Sequence, residues 1–239
     1  MTALKLSLFL KLKLSYLTTI KIEKIHLLLM NPNLSLFLKT AYYLSISYFS
    51  YLMILITIQY IPINFDVAFL NIKEEAIAKK HYQIAFFSHV YTSIIVLITG
   101  ITQFSTFIRT TFSKVHKTLG LIYIALVLFI ASPSGLIMAI YANGGIYSKI
   151  SFTIQAILWF VFTYLAFSYA KNKDWEKHQK FMLRSYALTL SAISLRLFKW
   201  MIVGTFELPP MDTYRLVAWL GWVVNLALVE IYLIRKAKK

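Results

Sequence analysis

Six long apolar stretches between Tyr42 and Ile234 constrain the fold of this chain more than any other feature. Each is about as long as the roughly 20 apolar residues that a helix needs to cross the hydrocarbon core of a bilayer. Charged or Asn-, Gly- and Pro-rich connections separate them. The stretches cover residues 41–62, 83–107, 118–141, 150–169, 181–203 and 214–234. We therefore predict an all-α, polytopic transmembrane bundle of about six helices.

Composition supports a membrane protein and excludes several other classes. Hydrophobic residues make up 59% of the chain and charged residues 14%, against about 45–50% and 25% in soluble domains. The absence of cysteine excludes disulfides, thiolate zinc sites and iron–sulfur clusters. The sequence contains no hydrolase motif and no nucleotide-binding motif. It also contains no internal repeat. The net charge of +16 arises from Lys and Arg in short blocks beside the apolar stretches. The expected partner is therefore the lipid bilayer and not nucleic acid.

Lys and Arg in the connections predict the orientation, because basic residues are enriched on the cytoplasmic side. If the N-terminus is cytoplasmic, 11 basic residues lie on that side and 5 on the other. The first group is Arg109, Lys114, Lys117, Lys171, Lys173, Lys177, Lys180, Arg235, Lys236, Lys238 and Lys239, and the second is Lys73, Lys79, Lys80, Lys149 and Arg215. We predict cytoplasmic termini and a multi-pass location in the bacterial cytoplasmic (inner) membrane.

Residues 1–40 differ from the rest of the chain. LKLSLFLKLKLSY alternates apolar and polar residues and contains too many lysines to span a membrane. Met30 and Asn-Pro-Asn then precede the first apolar stretch. We expect an N-terminal leader that either derives from an upstream start codon or lies on the membrane as a basic interfacial segment. Residues 41–239 are predicted to form a single transmembrane domain.

Ionisable and polar residues inside the apolar stretches are the candidates for function, because such groups are costly in a membrane and usually face the bundle interior. Eighteen residues, or five helical turns, separate His178 from Arg196. A continuous fifth helix would therefore place both on one polar face. His89 and Arg196 enter the membrane from opposite ends to similar depths, so they are expected to be neighbours. The candidate polar seam comprises His89, Gln103, Arg184, Arg196 and Glu230, with Arg184 and Glu230 expected to form a structural ion pair.

Two histidines suggest a cofactor site. His116 and His178 begin the third and fifth predicted helices from the same side of the membrane. Neutral imidazole is a good axial ligand for haem iron, so the leading hypothesis is a small electron-transfer component with one haem b held by this pair. Four alternatives remain open. The imidazoles could bond only to backbone, lipid phosphate or each other, or they could form another metal site or a quinone site. The chain could instead be a structural or accessory subunit of a membrane complex, or a small proton-coupled transporter that uses His89 and Arg196.

The order of several motifs resembles a known family. His89, Gly100 and Gln103-Phe104 are followed by HKTLGLIY at 116–123, Trp159, and HQKFMLRSYALT at 178–189. This order is similar to the bacterial membrane-protein family catalogued as domain of unknown function 2306, over about residues 45–205. Lys117 and Phe181 depart from the expected Arg and Trp. The resemblance implies a histidine-containing helical bundle and makes His89, His116, His178, Arg184 and Arg196 the family's polar signature. It implies no activity.

Overall fold

The computed structural model describes residues 32–238, and every element within that range is helical. Its helices are α1 Pro32–Ile58, α2 Glu74–Ile77, α3 Lys80–Gln103, α4 Thr106–Thr111, α5 Ser113–Leu126, α6 Ser132–Ile140, α7 Ile146–Lys171, α8 Trp175–Thr189, α9 Ser191–Phe206 and α10 Pro210–Ala237. A 3₁₀ turn covers Ala68–Ile72 and a π-helical turn covers Val127–Ala131. Most of the predicted leader lies outside the described residues, although its last nine positions belong to α1.

Four helical segments are long and apolar enough to cross a membrane: Lys80–Gln103, Ser113–Ile140, Ile146–Lys171 and Pro210–Ala237. The helices α8 and α9 form a fifth if the bent pair is one span. An apolar segment, Tyr43–Ile58, forms the C-terminal part of α1. The chain divides into two compact units at Tyr48/Phe49. Every contact described below lies within the second unit, which begins at Phe49.

The expectation of one continuous helix through residues 181–203 is wrong. The helix α8 ends at Thr189, α9 begins at Ser191, and the two are bent by 42°. The hydroxyl of Ser191 donates to the carbonyl of Leu188 at 2.6 Å, and such local bonds compete with the helical backbone pattern. Because a bend changes the direction of every side chain beyond it, counting whole turns from His178 does not give the direction of Arg196.

The span that contains α5 and α6 is interrupted by the π-helical turn. Pro133 follows this turn at the start of α6. Proline has no N–H to donate and its ring clashes with a regular α-helical turn before it. A wider π turn accommodates that clash and often occurs at functional positions. The turn places the carbonyl of Ala131 where a side chain from α3 reaches it.

The turn between α6 and α7 requires glycine. Gly144 and Gly145 have φ angles of 82° and 74°, a backbone region that other residues rarely adopt. A Cβ on Gly144 would also lie 3.1 Å from Arg215 Cγ. The Gly144-Gly145 pair therefore forms the short connection between the two helices.

The main core lies where α3, α5, α7 and α8 pack together. Its largest fully buried side chain is Tyr123. The Tyr123 hydroxyl lies 2.7 Å from Ser185 Oγ and 2.8 Å from Thr189 Oγ1, and Ser185 Oγ lies 2.7 Å from Thr163 Oγ1. These four hydroxyls form a buried network that joins α5, α7 and α8. Thr189 of this network also lines the larger cavity described next.

Candidate functional sites

A cavity of about 530 Å³ lies between the end of α1 from Met53 onward and the helices α3, α6, α7, α9 and α10. Most of its wall is apolar, with Phe86, Ile94 and Leu97 contributed by α3. Its polar lining groups include His89, Lys73, Gln155, Arg196 and Lys199. Cavities of this size and composition are typical of small-molecule sites. We refer to it below as the cationic cavity.

His89 is fixed to the π-helical turn. Its Nδ1 lies 2.8 Å from the carbonyl oxygen of Ala131 and 3.3 Å from Ser134 Oγ. Because a carbonyl only accepts hydrogen bonds, Nδ1 is assigned the proton and neutral His89 keeps its lone pair on Nε2. A Cβ on Gly135 would lie 3.1 Å from His89 Cε1, so this glycine provides the space that the imidazole occupies.

Arg196 reaches the same cavity from α9, as does Lys199 one turn later. The cavity therefore contains both His89 and Arg196, which were expected to be neighbours. They do not hydrogen-bond to each other within the described chain. Arg196 Nη1 instead donates to the carbonyl of Ala192 in its own helix at 2.7 Å. Among residues 32–238 the guanidinium has no carboxylate partner.

Two lining residues were not predicted as site residues. The buried ring of Trp159 contacts His89, with ring centroids 6.5 Å apart. Lys73 was read as a loop charge, yet it is buried and donates to the carbonyl of Tyr141 and to Asn143 Oδ1. The apolar run VAFLNI before it is the only sequence signal that this loop packs against the bundle.

Lys73 also has a perturbed charge. Burial, and to a smaller degree the nearby Lys149, lowers the pKa of Lys73 from 10.5 to about 8. Lys73 and Lys149 both line a second, smaller hollow on the same side of the bundle. Lys73 thus separates the cationic cavity from that hollow, and part of its population is neutral just above physiological pH.

The other two candidate histidines, His116 and His178, lie at the end of the bundle opposite the cationic cavity. His178 occupies the first turn of α8, and its Nδ1 lies 2.8 Å from the carbonyl of Ala166. Asp174 caps this helix by accepting from the Lys177 N–H at 3.1 Å. The Lys177 side chain and that N–H hold the pKa of Asp174 below its ordinary value. The α8 start that carries His178 is therefore firmly set by its cap.

His116 faces the same region from the first turn of α5. Its Nδ1 is buried and has no hydrogen-bond partner among the described residues. The imidazoles of His116 and His178 lie close enough to interact electrostatically. No Cα atoms of α5 and α8 approach within 8 Å along their described lengths. The helices that carry the pair are therefore separated by a gap that side chains bridge, as Tyr123 does deeper in the bundle.

The remaining predicted seam residues have structural partners. Arg184 forms a two-point ion pair with Glu230, with Nε–Oε1 at 2.6 Å and Nη2–Oε2 at 2.9 Å, so the expected pair is present. Gln103 donates to Thr102 Oγ1 at 3.2 Å. A Cβ on Gly120 would lie 2.9 Å from Gln103 Oε1. The site residues thus divide between the cationic cavity, the His116/His178 region and these packing contacts.

Membrane-length helices that carry interior histidines and arginines define this molecule as a helical membrane protein. A family model described as "Predicted membrane protein (DUF2306)" matches residues 86–233, more than half of the chain, and the protein belongs to this family. The resemblance read from the motifs is confirmed. The matched range contains every predicted site residue. No curated protein and no solved structure matches the chain.

Proposed function

We propose that this protein is a small electron-transfer component of the bacterial inner membrane that holds one b-type haem between His116 and His178. The observation that carries the proposal is the pairing of a fixed and an unpartnered imidazole at one level of the bundle. In the same proposal α1 and the bent α8–α9 pair each count as one of six spans. Both termini are then cytoplasmic, and the histidine pair lies near the cytoplasmic surface.

The donor set fits a bis-imidazole haem. Histidine ligands usually donate their other ring N–H to a carbonyl, which fixes the tautomer and leaves the second nitrogen for the metal. His178 has this arrangement, since the Ala166 carbonyl accepts from Nδ1. The unsatisfied Nδ1 of His116 is a buried polar atom that costs free energy unless something binds it or the ring reorients. The gap between α5 and α8 provides separation between the two rings.

The protein's own residues would orient and insulate this site. When bound, the haem would supply a one-electron redox couple, and imidazole ligation and burial are means by which proteins tune its potential. Asp174 sets the first turn of α8, and the network of Tyr123, Ser185, Thr189 and Thr163 closes the site toward the membrane interior. The absence of a histidine on α7 to pair with His89 limits the proposal to one bis-histidine haem.

An optical spectrum tests the proposal. Protein purified after haem-replete expression should show the sharp α band of low-spin haem b on reduction. His116→Ala and His178→Ala should each abolish this band. His81→Ala should retain it, because His81 lies in the first turn of α3, away from this pair, and contacts Tyr141 Oη at 2.7 Å. Elution as a single species on size exclusion would show that a colourless variant is folded.

A colourless wild-type protein would reject the haem proposal, as would a low-spin band that survives both histidine substitutions. The accessory-subunit hypothesis would then be the better account of the His116/His178 region. In that case the polar groups act in packing or in contacts with other membrane-protein subunits.

A small proton-coupled transporter is the second candidate, favoured by the presence of His89 and Arg196 in one cavity. A neutral imidazole and a fixed cation in a membrane cavity suit proton relay and anion attraction. Protein reconstituted into vesicles with an enclosed pH dye should then dissipate a pH gradient. His89→Ala should remove this activity while His81→Ala retains it. Equal proton flux in vesicles with and without protein would reject this candidate.

A further inference from the structure

The two arginines Arg184 and Arg196, in the consecutive helices α8 and α9, differ in their partners. Arg184 has Glu230 as a two-point partner. Arg196 has only the carbonyl of Ala192 within the described chain, although a guanidinium carries five N–H donors. An unpaired cation in a membrane interior costs several kcal/mol on most scales. The chain therefore leaves at Arg196 a charge that something else must neutralise or solvate.

The charged residues that line the cationic cavity indicate the charge of the ligand it would bind. Lys73, Arg196 and Lys199 contribute basic groups, and none of the lining residues among residues 32–238 is Asp or Glu. Unlike charges attract more strongly inside a protein than in water because the local dielectric is lower. A cavity with cations and without carboxylates favours an anion. Since guanidinium binds carboxylate and phosphate oxygens in a two-point geometry, these are the expected anionic groups.

The apolar part of the cavity wall indicates that the rest of the ligand is apolar. Phe86, Ile94, Leu97, Met138 and Leu195 present apolar surface to the same space. Small inorganic anions would leave this surface uncovered in a cavity of about 530 Å³. A molecule with an anionic head and an apolar body would contact both kinds of wall. His89 Nε2 provides an acceptor for a hydroxyl on such a molecule.

We propose that the cationic cavity binds an amphiphile whose phosphate or carboxylate head contacts Arg196 and Lys199 and whose apolar part lies against the α3 side. This inference does not depend on haem at His116/His178. Two sources share the chemistry: a phospholipid from the bilayer and a soluble organic anion with an apolar chain. The experiment below distinguishes them.

Octyl phosphate is the probe for the head-group chemistry, with octyl glucoside as the uncharged match. We expect octyl phosphate to raise the unfolding temperature of the detergent-purified protein in a saturable manner, and octyl glucoside to have no saturable effect. Arg196→Gln should weaken binding by about tenfold or more, because charge-assisted hydrogen bonds are lost. Arg235→Gln removes the same charge from an exposed position outside the cavity and should leave the affinity unchanged.

Further variants keep the test interpretable if Arg196→Gln accumulates poorly. Arg196→Lys retains the charge without the two-point geometry and should bind with intermediate affinity. Lys199→Gln should also weaken octyl phosphate binding. Absence of saturable binding in the wild type would overturn the proposal. Equal affinity in Arg196→Gln, Lys199→Gln and Arg235→Gln would overturn it as well.

Native mass spectrometry identifies the source. An anionic phospholipid that remains bound to the wild-type protein and to Arg235→Gln, but is lost from Arg196→Gln, would assign the cavity to a lipid. If the wild-type protein instead purifies without any bound phospholipid and binds octyl phosphate with the same dependence on Arg196, the cavity would be assigned to a soluble anion. Phospholipid retained equally by all variants, together with octyl phosphate binding that ignores Arg196, would contradict both assignments.

Discussion

Gly100→Ala should destabilise the protein, because Gly100 of α3 lies directly against the Tyr186 ring of α8. A Cβ built on Gly100 would overlap the edge of the Tyr186 ring and lie 3.2 Å from Tyr123 Cε2. Tyr186 is 4% exposed and packs against Phe104 with ring centroids 5.2 Å apart. A rigid, enclosed ring has little space to retreat, so the helices themselves must separate to admit the methyl group.

The change in unfolding free energy caused by Gly100→Ala is the sum of two opposing effects. Overpacking of a dense core typically costs about 1–3 kcal/mol. Alanine in place of glycine within a helix contributes up to about 1 kcal/mol in the opposite direction. Gly204 in α9 isolates the second effect, since no heavy atom lies within 4 Å of its added Cβ. The difference in unfolding free energy between Gly100→Ala and Gly204→Ala should therefore equal the overpacking cost.

Thermal unfolding in detergent, followed by tryptophan fluorescence, measures this difference. Each kcal/mol corresponds to a shift of roughly 2–4 °C for a domain of this size. Gly100→Ala should unfold several degrees below Gly204→Ala, which should match or exceed the wild type. Equal unfolding temperatures for the two variants would show that α3 and α8 are not packed through Gly100.

Three other outcomes are expected. Tyr123→Phe should lower stability by about 1–2 kcal/mol, because it removes two buried hydrogen bonds, whereas Tyr164→Phe on an exposed surface should unfold at the wild-type temperature; equal unfolding of both would refute this role. Burial, with Lys149 as the smaller cause, lowers the pKa of Lys73 from 10.5 to about 8, so the unfolded chain binds more protons between these values and stability should rise with pH across that window. The same titration of Lys73→Met should lack this rise, and an identical slope in both proteins would contradict the assignment. Reporter fusions after Lys149 and after Asp212 should both report the periplasm, and cytoplasmic signals at both would reverse the orientation.

Much of this fold follows from elementary patterns in the sequence. Apolar stretches of membrane length predict helices because a bilayer leaves backbone groups no other partner than their own helix or a closed sheet. The pair Arg184–Glu230 was also predictable, since both charges lie near the same ends of their stretches and unlike charges pair in an apolar medium.

The missed features depend on backbone breaks and on tertiary contacts. No proline or glycine lies near Leu190 in α8 or α9 to mark the bend, so the sequence predicts a regular helix there. Lys73 is buried only because the segment before it packs against the bundle. Single-sequence patterns describe a residue's neighbours along a helix, whereas these features depend on residues far away in the chain.

The cationic cavity could not be predicted from sequence patterns for the same reason. Depth along the membrane placed His89 and Arg196 at one level, but it could not show whether they would bond to each other or stand apart. In the structure each bonds to a backbone carbonyl instead. The space between such groups is determined by the packing of six helical segments, and no local pattern records it.

The π-helical turn Val127–Ala131 has a consequence for how insertions and deletions are tolerated. One residue of an α-helix corresponds to a rotation of about 100°, and a π turn contains one residue more than the regular turn it replaces. Deleting Ile130 would therefore let the span revert to a regular α-helix in which its two halves keep nearly their present facing. His116 and Gly135 would then still face their present neighbours. A single-codon deletion here should disturb the bundle less than one within the regular helix α7, where a missing residue rotates the rest of the helix by about 100°.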